Sequence, residues 1–242
     1  MNSAIYQNDL AYIHHVGFGD FARRASPELI RILKQAGIRR GVLVDLACGS
    51  GIWAAHAQRV GFQVFSVDSS AAMIRLARAN APKARFKRSS LYDVDLPCCD
   101  AITALGEGLN YLSAKGGPGP SLDKFFKKAA HALRPGGLFL FDVMVGGGPA
   151  MNSRFWKEGS DWAVLTEVSE PVRNRLLRRR MVTFRKAGSG WRRSEETHRV
   201  RLLNPAKILK ALRRAGFAVR MSPRYAGMQL LPRRRAFICR KV

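Results

Sequence analysis

Two carboxylates and one run of small residues offer the clearest chemistry in this chain. The apolar run Val42-Leu43-Val44 leads into Asp45, and Leu46-Ala47-Cys48-Gly49-Ser50-Gly51 then turns toward a helical pattern. Small side chains let a backbone come close to a ligand, and the first N–H groups of a helix lack partners within it. A second acid, Asp68, ends the next apolar run, Phe65-Ser66-Val67. It lies about twenty residues beyond the turn, the spacing at which a strand-end acid meets ribose hydroxyls in nucleotide-binding α/β folds. Two strand-end acids flanking such a turn describe a site for an adenosine group.

These residues need strands to end on and helices to start from, and the chain supplies both in alternation. Strand periods fall at 41–46, 63–67, 84–87, 100–105 and 138–143. Helical periods fall at 52–60, stopped by Gly61, at 70–79, and at 122–133, broken by Arg134-Pro135-Gly136-Gly137. An earlier helix is expected to start at Ser26-Pro27-Glu28, with an N-cap and Pro in its first turn, and to close at Gly37. Residues 115–120 read as a loop. Such alternation predicts an α/β sheet. The pattern then changes: 162–168, 175–185 and 191–203 have strand character without helices between, and Gly188-Ser189-Gly190 makes a hairpin of the last two. Asn204-Pro205 caps a helix to Arg214, closed by Gly216, and strands at 217–221 and 236–240 follow. No internal repeat or low-complexity tract is present.

The segment Asp45-Leu46-Ala47-Cys48-Gly49-Ser50-Gly51 resembles the first motif of the class I S-adenosylmethionine (SAM)-dependent methyltransferases, in which an acid precedes G-x-G-x-G. Ala47 stands at the first glycine. The resemblance continues through Asp68-Ser69, through Asp100-Ala101-Ile102-Thr103-Ala104-Leu105 and through Leu133-Arg134-Pro135-Gly136-Gly137. It implies a Rossmann-like, seven-stranded, mostly parallel sheet with helices on both faces and an antiparallel β insertion after the fifth strand. It also implies SAM as cofactor. Asp45, Ala47, Cys48, Gly49 and Gly51 would hold its methionine part, and Asp68 with Ser69 the ribose. Ser89, Ser90 and Leu91 would bracket the adenine, with Met73 and Leu105 completing the cofactor set. Many relatives carry an acid where Ser90 stands. The implied organisation is an N-terminal helical lid at 1–40, a SAM-binding core at 41–145, a β insertion covering the substrate site at 146–203, and a C-terminal helix with the last two strands at 204–242. A dinucleotide oxidoreductase would need G-x-G-x-x-G, and Ala54 stands at the third position.

In open α/β sheets the ligand crevice lies beyond the strands' carboxyl ends. Gly106-Glu107-Gly108-Leu109-Asn110-Tyr111 follows the fourth strand and should face the transferred methyl. Glu107 would take an acceptor proton or bind a cationic amine; the alternative is a loop carboxylate paired with Arg. Asp142 points into the crevice or pairs locally. In the N-terminal stretch, Tyr12, His15 and Phe18 are candidates for closing over the cofactor, with Tyr12 and His15 also candidates for catalysis. Tyr225 is a weaker candidate for lining the site. Proximity and orientation alone supply roughly 7–11 kcal/mol, so methyl transfer does not demand a strong base.

The chain has 242 residues with 42 Lys+Arg against 17 Asp+Glu, a net charge of +25. Such a charge attracts anions and predicts non-specific, salt-sensitive nucleic-acid binding through the basic surface. The Arg residues are not interleaved with aromatics as in a single-strand binder. Cys48, Cys98, Cys99 and Cys239 form no C-x-x-C pair and have no His at zinc-ligand spacing, so no metal site is expected. They read as buried thiols in a reducing, cytoplasmic compartment. The apolar run 138–145 is interrupted by Asp142 and too short to span a bilayer, so no membrane partner is expected. Three functions remain: methylation of a nucleophilic N or O atom of a small molecule, which the β insertion favours; methylation of RNA or protein through the basic stretch 173–201 and Arg233-Arg234-Arg235; and SAM binding without turnover. In 197–203, alternation puts His198, Val200 and Leu202 on one, covered face and Arg199 and Arg201 on the other.

Overall fold

The computed structural model describes residues 5–112, 121–171 and 176–242. Helices α1 (Asn8–Phe18) and α2 (Asp20–Gln35) come first. Strands and helices then alternate: β1 (Gly41–Leu46), α3 (Ile52–Arg59), β2 (Phe62–Asp68), α4 (Ala71–Asn80), β3 (Arg85–Arg88), β4 (Cys99–Ala104), α5 (Leu122–Ala132) and β5 (Leu133–Met144). Four strands follow without helices: β6 (Ser153–Gly159), β7 (Trp162–Ser169), β8 (Leu176–Ala187) and β9 (Gly190–Arg201). The chain closes with α6 (Pro205–Arg214), β10 (Phe217–Ser222), the hairpin β11 (Arg224–Tyr225) and β12 (Met228–Gln229), and β13 (Arg234–Lys241). The loop expected at 115–120 and residues 172–175 lie outside the described residues.

The main sheet has seven strands in the order β10-β13-β5-β4-β1-β2-β3. Strands β3, β2, β1, β4 and β5 run parallel, and β13 is antiparallel to both β5 and β10. The sequence explains the two-sided cover. Along β1, Leu43 packs into one core cluster while Val44 and Leu46 pack into the other. Strand β5 does the same, with Leu138 and Leu140 on one side and Phe139 and Phe141 on the opposite side. Helices α2 and α3 cover the first face through Leu29, Leu33, Trp53 and Ala57, and α5 and α6 cover the second through Phe126 and Leu212. Strand order reverses between β1 and β4, and a crevice opens there beyond the strand ends.

The second sheet is antiparallel, in the order β6-β7-β8-β9. Strand β7 alternates strictly, burying Trp162, Val164, Thr166 and Val168. These face α1 and the crevice; Leu10, Ile13, Trp162, Val164 and Met181 form one apolar cluster. A Cβ on Gly17 would come within 2.6 Å of the Trp162 ring, so glycine lets α1 lie against the sheet. His198, Val200 and Leu202 are buried and Arg199 is exposed, as the alternation predicts, whereas Arg201, expected on the same open face, is half-buried with its Nε covered.

The two sheets meet at a short 3-10 turn, Gly108–Asn110. The buried Asn110 amide donates to Met144 O (2.7 Å) and Arg201 O (2.6 Å) and accepts from Met144 N (3.0 Å). Val145 and Leu203 then pair in a parallel bridge, with Leu203 N donating to Met144 O at 3.1 Å.

Several local expectations are corrected. Helix α2 does not start at Ser26: Pro27 sits inside it and the Ser26 hydroxyl donates to Ala22 O at 2.7 Å. The buried stripe of Ala25, Ser26, Leu29, Ile30, Ile32 and Leu33 outweighs the hydrogen bond that proline removes. Strand β6 was not expected, because as an exposed edge strand it shows no alternation. Among the cysteines, all free, Cys98 is exposed rather than buried, since it precedes the strand residue Cys99 that faces the core. No helix among the described residues is long and apolar enough to cross a membrane.

Candidate active site

At the end of β1 the backbone enters the left-handed region three times, at Ala47 (φ 51°), Gly49 (54°) and Gly51 (77°). An alanine there costs roughly 1–2 kcal/mol. Asp68, ending β2, ties the turn down: one carboxylate oxygen accepts from Gly49 N at 2.9 Å and the other from Ser70 N at 2.8 Å. Behind the turn, Trp53 Nε1 donates to Thr103 Oγ1 (2.9 Å), and that hydroxyl donates to Asp45 Oδ1 (3.0 Å). Asp45 Oδ2 is buried without a partner among the described residues. Burial pushes the Asp45 carboxyl up to about 8 despite the Thr103 hydrogen bond.

The crevice is a cavity of about 1170 Å³ lined by Asp45, Ala47, Cys48, Gly49, Asp68, Ser69, Met73, Ser90, Leu91, Leu105 and Glu107, among others. A pocket for one drug-sized ligand holds roughly 300–1,000 Å³, so this one has room for two ligands. Gly51 is not part of the lining. A Cβ there would meet Ala77 Cα at 2.8 Å, so this glycine serves the packing of α3 on α4.

Two of the three residues expected to act in catalysis lie elsewhere. Helix α1 turns Leu10, His14 and Phe18, spaced by four, toward the cavity. Tyr12 and His15 are off that stripe. The Tyr12 hydroxyl bonds Asp161 Oδ2 (3.0 Å) and its ring carries the Arg185 guanidinium at 3.3 Å. His15 Nδ1 meets Ser50 Oγ at 2.9 Å, fastening α1 to the glycine turn from outside the cavity. Asp142 does not point into the crevice either. It accepts from Gly106 N (2.9 Å), Glu107 N (3.1 Å) and the buried Tyr225 hydroxyl (3.1 Å), and burial lifts it to about 6. Tyr225 is likewise outside the lining.

Glu107 does line the cavity, as a fully buried residue at φ 68°. Its carboxylate lies between Arg179 (2.8 Å) and Arg234 (2.5 Å). Arg179 also reaches the Tyr111 hydroxyl at 3.4 Å, which is 3.0 Å from the Tyr6 hydroxyl. His198 completes this wall. The turn carrying Glu107 touches the glycine turn: a Cβ on Gly108 would sit 2.7 Å from Ala47 Cβ. One end of the cavity is thus made of backbone and strand-end acids, and the other of phenols, imidazoles and a charged cluster.

Residues 43–137 match the methyltransferase domain family. Over nearly the whole chain, the fold matches that of a SAM-dependent methyltransferase from Clostridium acetobutylicum, with a TM-score of 0.79 at 19% identity, covering 97% of this chain and 98% of that one. The chain therefore has the class I methyltransferase fold. It is also similar to the sugar N-methyltransferase KedS8 from Streptoalloteichus, with a TM-score of 0.75 at 19% identity over 100% of this chain and 97% of that one. Among curated proteins, it is 25% identical over 229 residues to a dTDP-3-amino-3,6-dideoxy-alpha-D-glucopyranose N,N-dimethyltransferase of Streptomyces fradiae, covering 91% of this chain and 88% of that protein.

The matched Clostridium protein is SAM-dependent, and the residues present here fit that cofactor. The unpartnered Asp45 Oδ2 offers an acceptor to an ammonium, Asp68 keeps lone pairs free for ribose hydroxyls, and Leu91 and Met73 offer apolar flanks to an adenine. Tyr6, His14, Arg179, His198 and Arg234 were missed in the sequence as site residues. A signal existed for His14, in its helical spacing with Leu10 and Phe18. None existed for Arg179 and Arg234, two of many arginines.

Proposed function

We propose that this methyltransferase acts on an amine nitrogen of a small molecule, specifically an amino sugar carried on a nucleotide. The observation that carries this reading is the two-ended cavity, whose acceptor end lies beneath the β6–β9 sheet and the N-terminal segment. That enclosure suits a compact acceptor. The printed activities of the Streptomyces fradiae relative and of KedS8 support an amino-sugar substrate.

Bound SAM supplies an electrophilic methyl on a sulfonium sulfur. In this reading Asp45 holds the ammonium of its methionine part, and the Ala47-Cys48-Gly49 backbone lies along that part. Asp68 and Ser69 hold the ribose, while Ser90, Leu91, Met73 and Leu105 surround the adenine. Residues 1–40 act as a lid and residues 146–203 as the cover of the acceptor. Arg179 and Arg234 are held in place by Glu107, which positions them and leaves a net positive charge to meet an anionic part of the acceptor.

RNA or protein methylation is less favoured. Many arginines of the second sheet are already paired: Arg154 with Glu167, Arg180 and Arg193 with Glu195, and Arg192 with Asp9. We read the location as cytoplasmic from the free thiols. The test is methyl transfer from labelled SAM to dTDP-3-amino-3,6-dideoxyglucose, with RNA and protein pools in parallel. Label should appear on the sugar; label confined to RNA or protein would overturn the reading.

A further inference from the structure

Glu196 and His198 lie two residues apart on β9 and point to the same side. Glu196 accepts three hydrogen bonds: from Tyr6 N at 2.7 Å, from Gln7 N at 2.8 Å, and from His198 Nε2 at 2.9 Å. A carboxylate that already takes two backbone N–H groups is an acceptor, so the proton on Nε2 belongs to the imidazole. In the neutral imidazole with that proton, Nδ1 is the nitrogen that carries the lone pair. That nitrogen is buried and has no partner among the described residues, while the ring lines the cavity. The rings of Tyr6 (4.8 Å between centroids) and Tyr111 (5.7 Å) stand edge-on to it. A buried ring nitrogen left open beside a ligand cavity calls for a partner from the ligand, and on the neutral ring that partner is a donor.

We propose that His198 is the general base of the methyltransferase, taking a proton from the acceptor amine through Nδ1, with Glu196 as the positioning residue that fixes its tautomer. This rests on the acceptor being an amine. The ammonium R–NH3+ gives one proton to Nδ1. The N–H electron pair stays on nitrogen as the attacking lone pair, and the imidazolium formed is paired with Glu196. The proton passes to water when the product leaves.

The other groups facing the ring do not compete. His14, next to Tyr6, is pushed down to about 4 by burial and by the neighbouring charges of His198, His15 and Arg179, so it is a weak base at neutral pH. Arg179, opposite His198 on β8, is a cation paired with Glu107, and Glu107 is held between two guanidiniums. Tyr6 and Tyr111 are bonded to each other.

The first measurement needs no acceptor. Nitrogen NMR of the complex with S-adenosylhomocysteine separates the protonated and bare ring nitrogens of the five histidines. His198→Gln identifies the His198 signals by their loss. The expected result near neutral pH is a protonated Nε2 and a bare Nδ1. A proton on Nδ1 with bare Nε2, or a doubly protonated ring across roughly pH 6–9, would overturn the proposal. Glu196→Gln should release the tautomer preference in a folded protein.

The second measurement uses dTDP-3-amino-3,6-dideoxyglucose. His198→Gln should lower kcat by about 10²–10⁴-fold, with residual activity climbing as pH rises and more amine is neutral. S-adenosylhomocysteine affinity should stay within about twofold, because His198 lies at the acceptor end. Wild-type kcat in this variant at neutral pH would overturn the role. If the wild-type enzyme leaves this sugar unmethylated, the amino-sugar reading fails, and the tautomer result still decides the one for His198.

Discussion

The two ends of the cavity are built in opposite ways. At the cofactor end, the groups that hold the turn are near in sequence: Gly49 and Asp68 are 19 positions apart, and Asp68 and Ser70 are neighbours but one. Much of what faces the ligand there is backbone. At the acceptor end, Tyr6 and Glu196 are 190 positions apart, and Glu107 and Arg179 are 72 apart. The working groups there are long side chains, held by one another. A local, backbone-built site tolerates change in the rest of the chain. A site made of distant side chains is only as good as the docking of its segments.

Breaking the acceptor end should therefore cost the whole fold more than it costs the cofactor. Glu107→Gln leaves Arg179 and Arg234 without their shared carboxylate. Removing one partner from a buried ion pair typically costs about 3–5 kcal/mol. The expected outcome in urea unfolding is a loss of this order, with S-adenosylhomocysteine affinity in the folded protein little changed. Stability within about 1 kcal/mol of wild type would show that the two guanidiniums are satisfied by water, which would place the cluster in the rim of the site.

The contact between the ends offers a sharper test. Gly108→Ala drives a methyl to within 2.7 Å of Ala47 Cβ. Overpacking of this kind costs typically 1–3 kcal/mol, and here it should also weaken SAM binding by displacing the glycine turn. Ala47→Gly removes the opposing methyl and the left-handed alanine together. Adding it to Gly108→Ala should restore both stability and affinity. Non-rescue would mean that the two turns do not press on each other.

The smallest effect is a proton count at the cofactor end. Asp45 is raised to about 8 in the free protein, against roughly 3.9 for an unfolded chain. A raised carboxyl contributes stability that is fully present below the unfolded value and is lost as pH climbs through the folded one. This residue therefore makes the free protein less stable between about pH 4 and 8 as pH increases. An ammonium at Oδ2 favours the ionised form, so S-adenosylhomocysteine binding near pH 7 should release up to about one proton, and affinity should tighten toward pH 8. Titration calorimetry in two buffers of different ionisation enthalpy measures the release, and Asp45→Asn should abolish it. Binding without proton exchange would remove the ammonium from Asp45.

The same contrast explains what could be read in the sequence. Strand β1, the turn after it, Asp68 and helix α4 are specified by neighbours, and each stands within a residue of where the pattern puts it. Pro27 misled because a start signal is local, whereas a buried stripe several turns long decides the helix. The motif makes Gly51 a ligand contact, but a side chain there would press on Ala77 of another helix. Tyr12 and His15 are chemically apt, yet helical register gives the cavity His14 instead. Arg179 and Arg234 became partners of Glu107 only through the approach of β8 and β13 to one turn, and nothing short of the folded topology pairs them.

The parallel bridge between Val145 and Leu203 has a consequence for how such proteins diversify. The β6–β9 segment leaves the main sheet and returns to it at adjoining points, so its ends are already joined by hydrogen bonds of the parent fold. Lengthening, shortening or replacing what lies between them changes chain-closure entropy only slightly, by about 0.6 kcal/mol for each doubling of length. The segment is in effect a cassette. A descendant that receives a differently shaped acceptor can exchange it at one splice, while the strands, the glycine turn and the cofactor they hold are inherited intact.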